Sequence, residues 1–245
     1  MSKALRRFIW IFLFLSIRGG GEILTEGHFE IQFSSPLSYY EQQKTVEILN
    51  ESELFLVSIL GEKPSDVLSI TLFSSVQEMK ETLKIPYYIG GWYYQGKIWL
   101  QPVSILIKKN VLEKTVFIEY AHFYFDFYTR NNCPDWLNEI LSLYYYRLKI
   151  GKQIQKPDLL LKTYQEFSSL SKNLFNSKKI KVFFETGVAF LYYLNQEFPE
   201  WNRLMLTKLK TDLSFEKAFQ EICGKSVEEV YEKDFMSGKK IKKEL

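Results

Sequence analysis

Apolar and polar positions change rhythm along this chain. His28-Phe-Glu-Ile-Gln-Phe33 alternates with the period of two of a half-buried strand, and Ser34-Ser35-Pro36 ends it. Residues 38–60 switch to helical spacing, with Val46, Leu49, Leu54, Val57 and Leu60 as a broken apolar stripe and Gly61 as the stop. Val67 to Phe73 is a second strand, and Ser74 or Ser75 offers an N-cap to a short helix over 76–84 that ends before Pro86. From Tyr87 to Leu100 two aromatic and aliphatic runs flank Gln95-Gly96, which predicts a hairpin, with Gly90-Gly91 as a bend before it. From there the pattern is helical throughout: 112–130, then 135–149 with Pro134 at its start and Gly151 as its stop. After a linker over Gln153–Pro157 come 158–171, 179–197, 200–209, 214–223 and 226–235. Strands and helices first, then helices alone, predict an α+β fold. Residues 22–109 form its mixed half and 110–245 its helical half, around one cleft.

Composition supports a packed core: of 245 residues 46% are hydrophobic and 25% charged, which excludes a disordered chain. Aromatic runs (Phe123-Tyr124-Phe125, Tyr144-Tyr145-Tyr146, Tyr192-Tyr193) fall inside predicted helices, so core packing is their first expectation and the wall of a peptide or glycan groove the second. The formal net charge of +3 is uneven. Residues 1–21 hold Lys3, Arg6, Arg7 and Arg18 and no acid, leaving the remainder slightly acidic. That is not the footprint of a nucleic-acid binder. The same segment reads as an export signal, with a basic flank, the apolar run Phe8–Ile17 and small residues Gly19-Gly20-Gly21 before a cleavage expected ahead of Glu22. An uncleaved anchor is the alternative, although the run is shorter than the roughly 20 residues of a membrane span. Either way the body is expected to be extracytoplasmic, with a membrane contact only through 1–21. An oxidising compartment permits a disulfide between Cys133 and Cys223, while two unpaired thiols fit equally well. The run Lys239-Lys240-Ile241-Lys242-Lys243 is expected to be a solvated tail.

Two stretches carry candidate chemistry: Ile118-Glu-Tyr-Ala-His122, and Pro134-Asp-Trp-Leu-Asn-Glu139. On a helix, positions 118 and 122 lie one turn apart on one face, with Glu119 on its flank. From spacing alone, Glu119, His122 and Asp126 make a salt-bridged polar strip, and Glu139 is a surface acid. With two histidines in the chain no Ser-His-Asp arrangement is credible, and no phosphate loop or dinucleotide fingerprint is present.

Taken together, the two stretches resemble the gluzincin peptidases, in particular the bacterial peptidase MA-like group with its thermolysin-like core. There, a helix bearing His-Glu-x-x-His is followed by Pro-x-Trp-Leu-Asn-Glu-Gly. Two histidines and the second glutamate bind zinc, and the first glutamate activates water. The resemblance covers about residues 28–235. It extends to His28-Phe29, Gly90-Gly91-Trp92-Tyr93, Gly96-Lys97-Ile98, Ser214-Phe-Glu-Lys-Ala218 and Gly224-Lys-Ser226. It implies a zincin-like first half built on a small mixed sheet, His122 and Glu139 as metal ligands, and Glu119 as general base. It further implies that Lys97, Ile98, Trp99 and Leu100 form the strand that pairs with extended substrate through backbone groups. Two positions depart from the pattern. Ile118 stands where the first ligand belongs, and Ile140 where a glycine is usual, so Ile140 is expected to tighten packing beside the site. His28 matches a non-ligand position. Loss of one ligand is expected to cost on the order of several kcal/mol of zinc affinity. The expectation is therefore an exported gluzincin-fold protein, catalytically inactive or impaired, whose cleft binds a peptide or another envelope component. No cofactor is expected, or zinc if the protein is active. The alternatives are an active zinc metallopeptidase with an atypical ligand set, and a structural envelope protein.

Overall fold

The computed structural model describes residues 23–34, 38–154, 157, 159–170 and 177–238. The expected export segment 1–21, the strand end at Ser35-Pro36 and the basic tail 239–243 lie outside the described residues. The chain is α+β. Strands β1 (Ile23–Glu26), β2 (Phe29–Phe33), β3 (Leu68–Leu72), β4 (Gly91–Tyr94) and β5 (Lys97–Leu100) form one sheet in the order β1-β2-β3-β5-β4. The helices are α1 (Tyr39–Leu60), α2 (Val76–Leu83), α3 (Val103–Lys108), α4 (Leu112–Tyr128), α5 (Asp135–Lys149), α6 (Tyr164–Leu170), α7 (Ser177–Glu197), α8 (Trp201–Leu209), α9 (Phe215–Cys223) and α10 (Val227–Glu229).

The centre of the sheet, β2-β3-β5, is parallel, and each edge strand joins it antiparallel. Parallel neighbours need a crossover, which α1 supplies between β2 and β3 and α2 between β3 and β5. One face of the sheet buries Phe29, Ile31, Phe33, Leu68, Ile70, Leu72, Ile98 and Leu100 against α1 and α4. Trp99 alternates to the other side, where it and Trp92 pack on Phe73, Met79, Leu83 and Ile85 around α2.

Local chemistry sets the helix ends. Ser38 and Glu41 close a reciprocal capping box on α1, and Gly61, at φ +80°, ends it in the left-handed conformation. Along α4 the buried residues Val116, Phe117, Tyr120, Ala121, Phe123, Tyr124 and Phe125 occupy most of the circumference, so this helix is the spine between the sheet and the helical half. Trp136 of α5 makes edge-on contacts with Tyr164, Phe167 and Phe215, at ring centroid distances of 6.2, 5.4 and 5.0 Å. It ties α5 to α6 and α9. A single apolar core runs from Phe29 to Phe235 through both halves.

Several expectations shift in detail. The short elements β1 and α3 add to the predicted set, and the last helix passes from α10 into a π-helical turn over Val230–Phe235. Leu54 is exposed, whereas Leu49 and Leu60 of the expected stripe are buried together with Ile48 and Leu56. His28 lies in the turn before β2 rather than on the strand. Its Nδ1 sits 3.3 Å from the buried Glu53 carboxylate, which also pairs with Lys63 at 2.7 Å and accepts from the Tyr120 hydroxyl at 3.2 Å. His28 therefore fastens the β1–β2 turn to α1 and α4. Cys133 and Cys223 are buried free thiols.

Candidate functional site

The site lies where β4, α4 and α5 meet. β4 approaches α4 closely because Gly91 has no side chain. A Cβ there would come within 2.6 Å of Glu119 Cγ and 2.8 Å of Thr115 Cγ2. The Tyr93 backbone N–H donates to the half-buried Glu119 carboxylate. Burial pushes Glu119 up to about 7; the nearby Glu139 charge adds to this and His122 opposes it.

His122, one turn further along α4, is buried and held by α5. Asn138 Nδ2 donates to Asp126 Oδ1 at 3.0 Å and to the His122 carbonyl at 3.2 Å, which fixes the orientation of its amide. Asn138 Oδ1 is thereby left to accept from His122 Nδ1–H at 2.8 Å. The Ser142 hydroxyl donates to the Asn138 carbonyl at 2.8 Å, so its oxygen also accepts from Nδ1–H at 3.1 Å. The other ring nitrogen, Nε2, faces Glu139 Oε2 at 3.6 Å. Burial opposes a charge on His122. The carboxylates of Glu139 and Glu119, the Asn138 bond and Asp126 outweigh burial and raise its pKa. Burial raises Asp126 as well, against the bonds it accepts from Tyr93 and Asn138 and the pull of His122. The Tyr93 ring stacks over His122, with centroids 6.4 Å apart and planes 16° apart.

Glu119, His122 and Glu139 thus form one group of interacting charges, and Asp126 joins them through Asn138 and Tyr93. The residues of the polar strip and the second glutamate are one cluster. Asn138, Ser142 and Tyr93 have roles that the sequence did not assign. The signal for Asn138 was its place inside Trp-Leu-Asn-Glu, and Ser142 lies one turn beyond it.

Zinc does not fit this donor set. Catalytic zinc takes three protein ligands plus water. Ile118, at the first-ligand position, is a partly buried hydrocarbon packed on the core. Among the described residues no group of three or more His, Cys, Asp or Glu side chains is arranged to hold a metal ion. Nδ1–H of His122 is engaged by acceptors, as in a metal-ligating imidazole, while Nε2 faces the Glu139 carboxylate.

Two further expectations about the site change. Ile140 is fully buried, but its side chain enters the space left by Gly187 on α7, where a Cβ would lie 2.4 Å from Ile140 Cδ1. The bulk of Ile140 is accommodated against α7. Lys97, Ile98, Trp99 and Leu100 form an inner strand, β5, paired on one side with β3 and on the other with β4. Their ladder positions are already used, so a peptide cannot add there. The edge strand on this side of the sheet is β4, Gly91–Tyr94, and it lies along α4. No protein-family model and no curated protein matches the chain.

Proposed function

We propose that this chain is an exported relative of the gluzincins, of the peptidase MA-like kind, that has lost zinc-dependent hydrolysis. Its cleft is kept to hold an extended peptide, supplied by a substrate or by another envelope protein. The observation that carries this reading is the orientation of His122. Asn138 and Ser142 hold it in the tautomer a metal ligand needs, facing Glu139, although the partner position is Ile118. A polar outer shell around a missing ligand fits descent from a metal site better than it fits a surface ion pair. The binding surface is the edge of β4. An incoming strand meets Gly91 and the Tyr93 N–H, where it exchanges with the Glu119 carboxylate.

The acetylated hexapeptide Thr-Val-Thr-Val-Thr-Val, followed by the fluorescence of Trp92 and Trp99, tests this reading. Binding is expected with a Kd on the order of 0.1 mM, about −5.5 kcal/mol, with no stoichiometric zinc in the purified protein and no hydrolysis of casein. One observation favours the second reading, an active enzyme: a Glu119 carboxyl near 7 suits a general base. Stoichiometric zinc together with casein hydrolysis, both lost in Glu119→Gln, would establish that reading instead. Absence of peptide binding would leave a structural envelope role.

A further inference from the structure

Far from the candidate site, His28 is the second residue of the tight turn, Gly27-His28, that joins β1 to β2, and Gly27 takes φ +59° there. Its imidazole sits in a cluster of charged and polar groups. Nδ1 faces Glu53 Oε2 of α1 at 3.3 Å. The same carboxylate pairs with Lys63, just beyond α1, at 2.7 Å and accepts from the Tyr120 hydroxyl of α4 at 3.2 Å. The rings of Phe29 and Phe123 flank the imidazole, with centroids 4.2 and 6.3 Å away. The opposite nitrogen, Nε2, is buried and has no hydrogen-bond partner. A carboxylate beside Nδ1 keeps the proton of the neutral ring on that nitrogen and leaves Nε2 bare. A second proton creates an N–H donor at Nε2 with nothing to accept it. Burial accordingly holds the His28 pKa below its ordinary 6.5; Glu53 opposes this and Lys63 adds to it.

The ring has a way out. Its side chain is already 11% exposed. Glu53 keeps Lys63 and Tyr120 when the imidazole leaves, so no buried carboxylate is stranded. The His28 carbonyl accepts from the Leu68 N–H of β3 at 2.9 Å, which holds the His28 main chain on the sheet and puts the movement on Gly27 and β1. β1 is the weakly held element. It is a four-residue edge strand with β2 as its ladder partner, and Ile23, Thr25 and Glu26 are exposed. We propose that His28 is a proton-operated latch: when Nε2 takes up a proton the ring leaves Glu53, the Gly27-His28 turn opens, and β1 detaches from the sheet. The latch is closed above pH 6.5 and opens as pH falls through the folded value. Its opening bares the outer backbone edge of β2, Phe29–Phe33, for pairing with another strand. The latch is independent of the cleft at β4.

Amide hydrogen exchange at pH 7.5 and pH 4.5 tests this, with protection factors corrected for the intrinsic pH dependence of exchange. The readout is the protection of the β1–β2 ladder relative to that of β5, which cancels changes in global stability. In the wild type this ratio is expected to fall at least 10-fold on acidification. His28→Asn keeps a donor on the Glu53 side and has no titrating group, so its ratio is expected to stay within 2-fold. Lys63→Met replaces a side chain that is 65% exposed. It leaves Glu53 free to hold an imidazolium, so the fall is expected to shrink below 3-fold. A wild-type ratio that does not change with pH overturns the latch. A fall that persists in His28→Asn assigns the response to another group, and a fall undiminished in Lys63→Met removes the Glu53 cluster from it; either result overturns the proposal.

Discussion

Glu119, His122 and Asp126 all have raised pKa values, and the first two give the cluster a testable response to pH. Glu119 has its folded pKa raised to about 7 from an ordinary 4.5. A carboxyl of that kind holds its proton more tightly when folded, so it costs stability progressively as pH rises from about 4.5 to 7. His122 has the same sign: its raised folded pKa contributes stability below its ordinary 6.5, and this is lost as pH climbs through the folded value. Glu119→Gln removes the first contribution and part of the second, since the glutamate also attracts the imidazolium. The variant is expected to gain about 2 kcal/mol at pH 8.5 and less than half of that at pH 4.5. Urea midpoints at the two pH values measure this, and a gain independent of pH would contradict it. Ile140 and Gly187 form the other pair. Gly187→Ala places a methyl group within 2.4–3.0 Å of three Ile140 carbons and is expected to cost about 1–3 kcal/mol. Combined with Ile140→Ala, it should cost less than the two single changes added together, by about 1 kcal/mol, because the new methyl group then enters a cavity.

At the scale of elements, the sequence was most legible where periodicity was long or the ends were chemically marked. α1 follows from Ser38, Glu41 and Gly61, and α5 from Pro134 together with its apolar spacing. β1 and α3 escaped because four and six residues are too few to establish a period. Leu54 was misplaced because residues 38–60 are rich in apolar positions on more than one face. The one that faces the core is chosen by α4 and by the Glu53 cluster, both distant in sequence. The pairing order of the strands was also hidden. Lys97–Leu100 looks like a substrate strand from its motif, but β4 folds back outside it, and only the hairpin at Gln95-Gly96 hinted at that. Asn138 was visible as a letter in a motif, yet its role depends on an amide orientation set by Asp126 of another helix. The aromatic junction at Trp136 gives a direct test at this scale. Trp136→Ala is expected to cost about 3 kcal/mol by uncoupling α5 from α6 and α9. Chemical denaturation would register it, and a cost below 1 kcal/mol would show that the junction is not structural.

Over the whole molecule, a continuous core from Phe29 to Phe235 makes the two halves one folding unit. The two thiols, Cys133 between α4 and α5 and Cys223 at the end of α9, are buried, and burial raises their pKa values. Cys133 and Cys223 should resist alkylation in native protein and become reactive together at one urea concentration; separate transitions would divide the helical half into two units. The same core holds His122 in place, with α4 packed on the sheet and α5 tied down by the aromatic junction. The central proposal is that the cluster around His122 is a zinc site lacking one ligand. Ile118→His tests it most directly by calorimetric zinc titration at pH 7.5. The account predicts one zinc per chain, bound at least 100-fold more tightly than by the wild type, with the gain abolished when Glu139→Ala is added. An unchanged affinity in Ile118→His, or stoichiometric tight zinc in the wild type, would contradict it.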